Sequence, residues 1–186
     1  MATHGSKLKT LLTTATLALA ATGALTLTVT PALADTSPGT AATPVPARTQ
    51  GWLKIYTGTA PTGINAVQLK VINDPKVGPR VADSGGRSLY RFDKDTANPS
   101  VSNCNGDCAT TWPPLLVARG QALYLDGINP AETSFIERAD GSCQITIGGR
   151  PIYYFSKDRN PGDLNGQGVG GTWFAVAPTG AKAQAA

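Results

Sequence analysis

Residues 144–158 read QITIGGRPIYYFSKD, and residues 81–95 read VADSGGRSLYRFDKD. Seven of the fifteen positions are identical at a constant offset of 63: Gly85/Gly148, Gly86/Gly149, Arg87/Arg150, Tyr90/Tyr153, Phe92/Phe155, Lys94/Lys157 and Asp95/Asp158. A Trp follows each copy, Trp112 after 17 residues and Trp173 after 15. Matching at this density marks an internal duplication. Each copy holds a Gly-Gly pair, suited to a turn that needs positive φ, followed by a short aromatic strand. Tyr and Phe two apart on a strand lie on one face.

The flanking sequence repeats that grammar. Phe135–Arg138 reads as a strand, Asp140-Gly141 as a hairpin turn, and Cys143, Ile145 and Ile147 alternate with Gln144 and Thr146. Gly148-Gly149 makes a second turn before a strand at Arg150–Phe155. Val81 to Tyr90 reads as a hairpin broken at Ser84-Gly85-Gly86. Val67, Leu69 and Val71 alternate with Gln68 and Lys70 as in a half-buried strand, and Trp173–Val176 adds one more. Helix signals are short: Asn129-Pro130-Ala131-Glu132 resembles an N-cap with Pro at N1, and a second turn is expected near Cys108–Trp112. The expected fold is mainly β, antiparallel hairpins or a meander built from two tandem repeats at about 65–117 and 135–178.

Residues 1–34 read as a secretory signal peptide. Lys7 and Lys9 precede an Ala/Leu/Thr-rich run from Leu11 to Val29, Pro31 breaks it, and Ala32-Leu33-Ala34 offers a cleavage site after Ala34. The run is long enough to span a membrane, but six Thr residues dilute it and the cleavage site follows at once. No Cys lies near residue 35 for a lipid anchor. Residues 35–50, rich in Thr, Pro and Ala, read as a flexible linker, 51–179 as a single β-rich domain, and 180–186 as a disordered tail.

Composition removes several chemistries. The 186 residues carry a net charge of +4, and without Lys7 and Lys9 the remainder holds 14 basic and 12 acidic residues, too balanced for a nucleic-acid binder. The one histidine, His4, lies in the leader. The mature chain therefore has no His for a Ser–His–Asp or Cys–His mechanism, or for a His-ligated zinc or haem site. No catalytic, cofactor-binding or metal-binding residue is singled out, and no cofactor is expected.

Three cysteines remain. Cys104 and Cys108 sit in an Asn/Gly loop, and in a secreted chain the leading reading is a local disulfide. Cys143 shares a strand face with Ile145 and Ile147 and reads as a buried free thiol, with pairing to Cys104 or Cys108 left open. The loops 93–107 and 158–165 are rich in Asp and Asn; calcium is conceivable there, though the spacing fits no EF-hand and these are ordinary turn residues.

The Tyr-x-Phe-x-x-Asp motif, present as Tyr90, Phe92, Asp95 and as Tyr153, Phe155, Asp158, resembles that of a secreted repeat family described as lipoproteins with a Yx(FWY)xxD motif. Trp112-Pro113-Pro114 after the Cys104/Cys108 pair, and the Gly-rich run 166–171 leading into Trp173, extend the resemblance over about residues 65–178. It implies a secreted or cell-envelope protein of unknown activity, released or loosely wall-associated because the lipid-anchor Cys is missing. Two functional readings stand beside each other: a non-enzymatic binding or structural module with cell-envelope partners, and a redox- or metal-linked accessory protein using the Cys104/Cys108 loop or the acidic loops. For the motif aromatics, core packing is weighed against a surface platform for carbohydrate.

Overall fold

The computed structural model describes residues 43–185. The expected signal peptide and the first part of the expected linker lie outside the described residues. The strands in chain order are β1 (Arg48–Gln50), β2 (Leu53–Thr57), β3 (Ala66–Asp74), β4 (Gly78–Asp83), β5 (Tyr90–Phe92), β6 (Thr96–Ala97), β7 (Ser100–Val101), β8 (Ala122–Asp126), β9 (Thr133–Glu137), β10 (Cys143–Ile147), β11 (Arg150–Pro151) and β12 (Trp173–Ala175). One short helix, α1 (Asp107–Thr111), and 3-10 turns at Pro130–Glu132 and Val169–Gly171 complete the described elements. The fold is mainly β, as the alternating patterns require. Asn129 caps the first 3-10 turn by accepting the Ala131 N–H at 2.9 Å.

The largest sheet has the order β1-β2-β8-β3-β4. Leu53, Ile55, Leu69, Val81, Leu123 and Leu125 line its inner face and are almost wholly buried. Each repeat contributes one hairpin of matching register. In the first, β3 and β4 pair so that Ile72 faces Arg80; in the second, β9 and β10 pair so that Ile136 faces Gln144. The sheet is not purely antiparallel: β8 runs parallel to both β2 and β3 and separates them. The connection 58–65, with Gly58, Pro61 and Gly63, carries the chain back so that β3 runs parallel to β2 rather than forming a hairpin with it. β8 lies between the two, with Leu123 and Leu125 buried.

The core has two parts. An aliphatic cluster of Leu, Ile and Val lies between the large sheet and β10. An aromatic cluster of Tyr90, Phe92, Trp112, Tyr153, Phe155 and Trp173 lies where β5 pairs with β12 and bridges to Tyr153. The turn at Gly148-Gly149 shows why glycine is needed there. Both have positive φ (56° and 73°), and a Cβ on either would lie 2.3 Å from a carbonyl oxygen, of Thr179 or of Ala97.

Two boundaries differ from the sequence reading. The expected linker to residue 50 ends earlier, because Arg48–Gln50 pairs with β2 and the Arg48 guanidinium donates to the Pro130 carbonyl at 3.2 Å. The expected disordered tail is docked as far as Ala183. The Ala183 N–H donates to the Ala175 carbonyl at 2.8 Å, and Lys182 pairs with Asp93 at 2.7 Å. Small size explains it: the Ala183 methyl packs into the aromatic cluster, and Gly180 lies against the Ile147 carbonyl where a side chain would collide. Among the described residues, no helix is long and apolar enough to cross a membrane.

Candidate functional site at the junction of the repeats

The duplicated motif closes on itself across the two copies. The Tyr90 and Tyr153 backbones exchange N–H···O bonds at 2.9 Å each, which places the motif strands side by side. Each tyrosine then reaches the aspartate of the other repeat. Tyr90 donates to Asp158 at 2.6 Å, and Tyr153 donates to Asp95 at 2.7 Å. The second carboxylate oxygen is held locally, Asp95 by the Asn103 N–H at 2.7 Å and Asp158 by the Asn165 N–H at 3.0 Å. These two asparagines follow their aspartates by eight and seven residues, a parallel visible in the sequence but without a motif to announce it.

The rings exchange in the same way. Trp112 of the first copy stacks on Phe155 of the second (centroids 4.1 Å), and Trp173 of the second stacks on Phe92 of the first (4.1 Å). The two indoles stack on each other at 3.9 Å with parallel planes. Tyr90 stands edge-on to Trp112 and Tyr153 edge-on to Trp173, at 5.5 and 5.2 Å. The two edge-on contacts are the T-shaped geometry that ring quadrupoles favour. All six rings are at most 8% exposed, so they form no surface platform.

Electrostatics follow from burial. Burial is the main cause that raises the Asp95 carboxyl above its ordinary value, against the lowering effect of the Asn103 N–H and the Tyr153 hydroxyl. Burial, and then the neighbouring carboxylate, pushes the Tyr90 and Tyr153 hydroxyls well above the usual tyrosine range. Both phenols are thus firmly protonated donors. On the Tyr153 side the donors form a chain: Arg138 donates to the Ser102 hydroxyl at 2.8 Å, and Ser102 and Tyr153 lie 2.7 Å apart. Arg138 also bonds the Gln144 amide oxygen, the Cys104 carbonyl and Asn105. Arg138, Ser102 and Gln144 escaped the sequence reading because no spacing ties them to the motif.

Cys104 and Cys108 are disulfide-bonded, with Cα atoms 5.2 Å apart, and Cys143 is free and buried. Cys104 follows Asn103 as Gly166 follows Asn165, so the disulfide and a bare glycine fill related places against the rings. A Cβ on Gly166 would lie 2.7 Å from the Tyr90 ring and 2.9 Å from Trp112. The acidic loops direct their oxygens to the protein itself: beyond Asp95 and Asp158, Asp163 accepts the Arg159 and Asn160 N–H groups, and Asp93 pairs with Arg91 and Lys182. Among the described residues no group of three or more His, Cys, Asp or Glu side chains is placed to hold a metal ion.

The junction leaves two clefts, each between a hairpin of one repeat and a loop of the other. One, of about 370 Å³, lies between the β3–β4 turn (Asp74, Lys76) and the loop of Gly162–Gln167. The other, of about 250 Å³, lies between the end of β9 (Ile136, Arg138) and Ser100–Asn105. Asp74 and Arg138 occupy matching places in the two hairpin registers.

No curated protein and no solved structure matches the chain. The model of one protein family, described as a secreted repeat of unknown function, matches residues 71–116 and again 134–177. These stretches coincide with the two halves that exchange their tyrosines and indoles, and the chain carries that family's repeat twice in tandem.

Proposed function

We propose that the chain is a secreted, non-enzymatic binding or structural module working at the cell envelope, released or loosely held there. One observation carries this reading. The side chains that define the family motif are spent on one another in the interior, so the motif builds the domain and leaves no reactive group exposed. The description of the family as secreted supports the extracellular setting, and a disulfide fits an oxidising compartment. The two junction clefts offer surfaces to a partner, with polar groups of Asp74, Lys76 and Asn165 in one and of Ser102, Asn105 and Arg138 in the other. Such linings suit a hydrogen-bonding polymer of the envelope.

The test uses protein purified from culture supernatant. It is expected to co-sediment saturably with isolated cell envelopes, to lose much of that binding in Lys76→Glu, and to show one titratable thiol after unfolding. Stoichiometric metal, a haem band in the visible spectrum, or failure to bind envelopes would overturn the reading.

A further inference from the structure

The aromatic junction has a property that packing alone does not use. Phe92, Trp173, Trp112 and Phe155 lie face to face in that order, with neighbouring centroids 4.1, 3.9 and 4.1 Å apart. Two indoles in parallel contact share a positive charge, so the pair yields an electron more readily than one indole alone. Each indole touches a tyrosine edge-on, and each tyrosine hydroxyl is hydrogen-bonded to a buried carboxylate. A phenol gives up an electron readily only when its proton has somewhere to go, and a carboxylate at 2.6–2.7 Å is such an acceptor. Gly166, itself buried, lies directly on Tyr90 and Trp112 with no side chain between. Tyr154 also reaches a carboxylate, Asp83 at 3.2 Å, but it packs against the aliphatic cluster, away from the indoles.

We propose that the Trp112–Trp173 stack with its two cross-repeat Tyr–Asp pairs is a one-electron site. It accepts a hole from a strong one-electron oxidant in the extracellular medium and holds it as a neutral tyrosyl radical. In the first step one electron leaves the indole pair for the oxidant, giving an indole radical cation. In the second, Tyr90 or Tyr153 returns an electron to the indole while its hydroxyl proton crosses to Asp158 or Asp95. The indole is restored, and the tyrosyl radical sits beside a neutral carboxylic acid. A one-electron reductant such as a small thiolate then supplies an electron and becomes a thiyl radical, while the proton on the carboxylic acid returns to the phenol. One electron has passed from reductant to oxidant, and no proton has left the protein. This goes beyond the binding role above and does not depend on it.

Photogenerated ruthenium(III) tris-bipyridine serves as the oxidant, with transient absorption and electron paramagnetic resonance as the readout. The wild-type chain is expected to show an indole radical that converts to a tyrosyl radical, more slowly in D₂O. Tyr90→Phe with Tyr153→Phe should keep the indole signal and lose the tyrosyl one, while Tyr154→Phe changes nothing. If the double variant fails to fold, a chain carrying Trp52→Phe, Tyr56→Phe, Tyr124→Phe and Tyr154→Phe, with the junction intact, must give the full tyrosyl signal. A tyrosyl signal that survives in the first variant, or disappears in the second, overturns the proposal.

Discussion

The hairpin of the first repeat carries Asp74 paired with Arg80 at 3.1 Å, and the hairpin of the second carries Arg138 bonded to Gln144 at 2.6 Å. The positions correspond, with Ile72 facing Arg80 as Ile136 faces Gln144, yet the arginine has changed strand and its acidic partner has given way to a neutral amide. Inside, by contrast, the copies have kept the same rings, the same Tyr–Asp bonds and the same Asn caps. The constraint on the duplication therefore lies at the junction. The rings and the Tyr–Asp pairs must match a partner in the other copy, whereas the hairpin charges have diverged: Asp74 and Arg80 satisfy each other, and Arg138 bonds Gln144 but also reaches Ser102, Cys104 and Asn105 of the first copy.

The strongest challenge to this contrast comes at the indoles. Trp112→Ala and Trp173→Ala should each cost about 3–5 kcal/mol, the range for truncating a buried large ring. Equal losses in denaturant melts support an equivalent junction; a much smaller loss at one indole removes the symmetry. Next come the hairpins. Asp74→Ala strands the Arg80 guanidinium, whose side chain is 2% exposed and whose Nη1 already lacks a partner, and should cost about 3 kcal/mol. Arg138→Ala removes a more exposed cation with neutral partners and should cost about 1–3 kcal/mol. Comparable losses would mean that the hairpins have not diverged in energy. Third, replacing Cys104 and Cys108 by Ala should lower stability by about 2 kcal/mol, the chain-entropy value for so short a loop. No such staple supports the Gly166 side, so the loss should be confined to the cysteine loop, as hydrogen exchange at Asn103–Thr111 would show.

The smallest effect is in pH. Asp95 has a folded pKa above its unfolded value, so the folded state binds that proton more tightly. Its contribution therefore improves as pH falls through the raised pKa toward 3.8, and is level below that. Asp74 runs the other way: burial would raise its pKa, but the Lys76 N–H and Arg80 outweigh this and lower it, so its stabilisation is lost as pH falls below 3.8. Melts of Asp95→Asn against wild type from neutral to acid pH should show the wild type gaining ground, and the opposite trend would mean that the carboxylate is not penalised by burial.

Much of the fold was legible in the residues. The Asp140-Gly141 and Gly148-Gly149 turns mark the second hairpin, the alternation of Cys143, Ile145 and Ile147 marks its buried strand, and the oxidising setting points to Cys104 with Cys108. The exchange across copies was not legible, because Tyr90 lies 68 residues from Asp158 and each motif read alone holds an aspartate of its own. Nor was the insertion of β8 between β2 and β3, since strand periodicity reports which face is buried and not which neighbour is chosen. The tail misled for a related reason: Gly180 and Ala183 look featureless in sequence, and only the cluster they fill shows why small residues are wanted.

The swapped tyrosines also bear on how this gene can change. Unequal recombination between the copies would leave one motif whose Tyr has no Asp from its sister and whose indole has no second indole to rest on. Such a product loses half of each contact at once, where the loss of one bead from an ordinary string of modules leaves the others whole. A single copy of the repeat could make these contacts only by closing against a second molecule of itself, so the tandem arrangement makes within one chain an encounter that would otherwise need two.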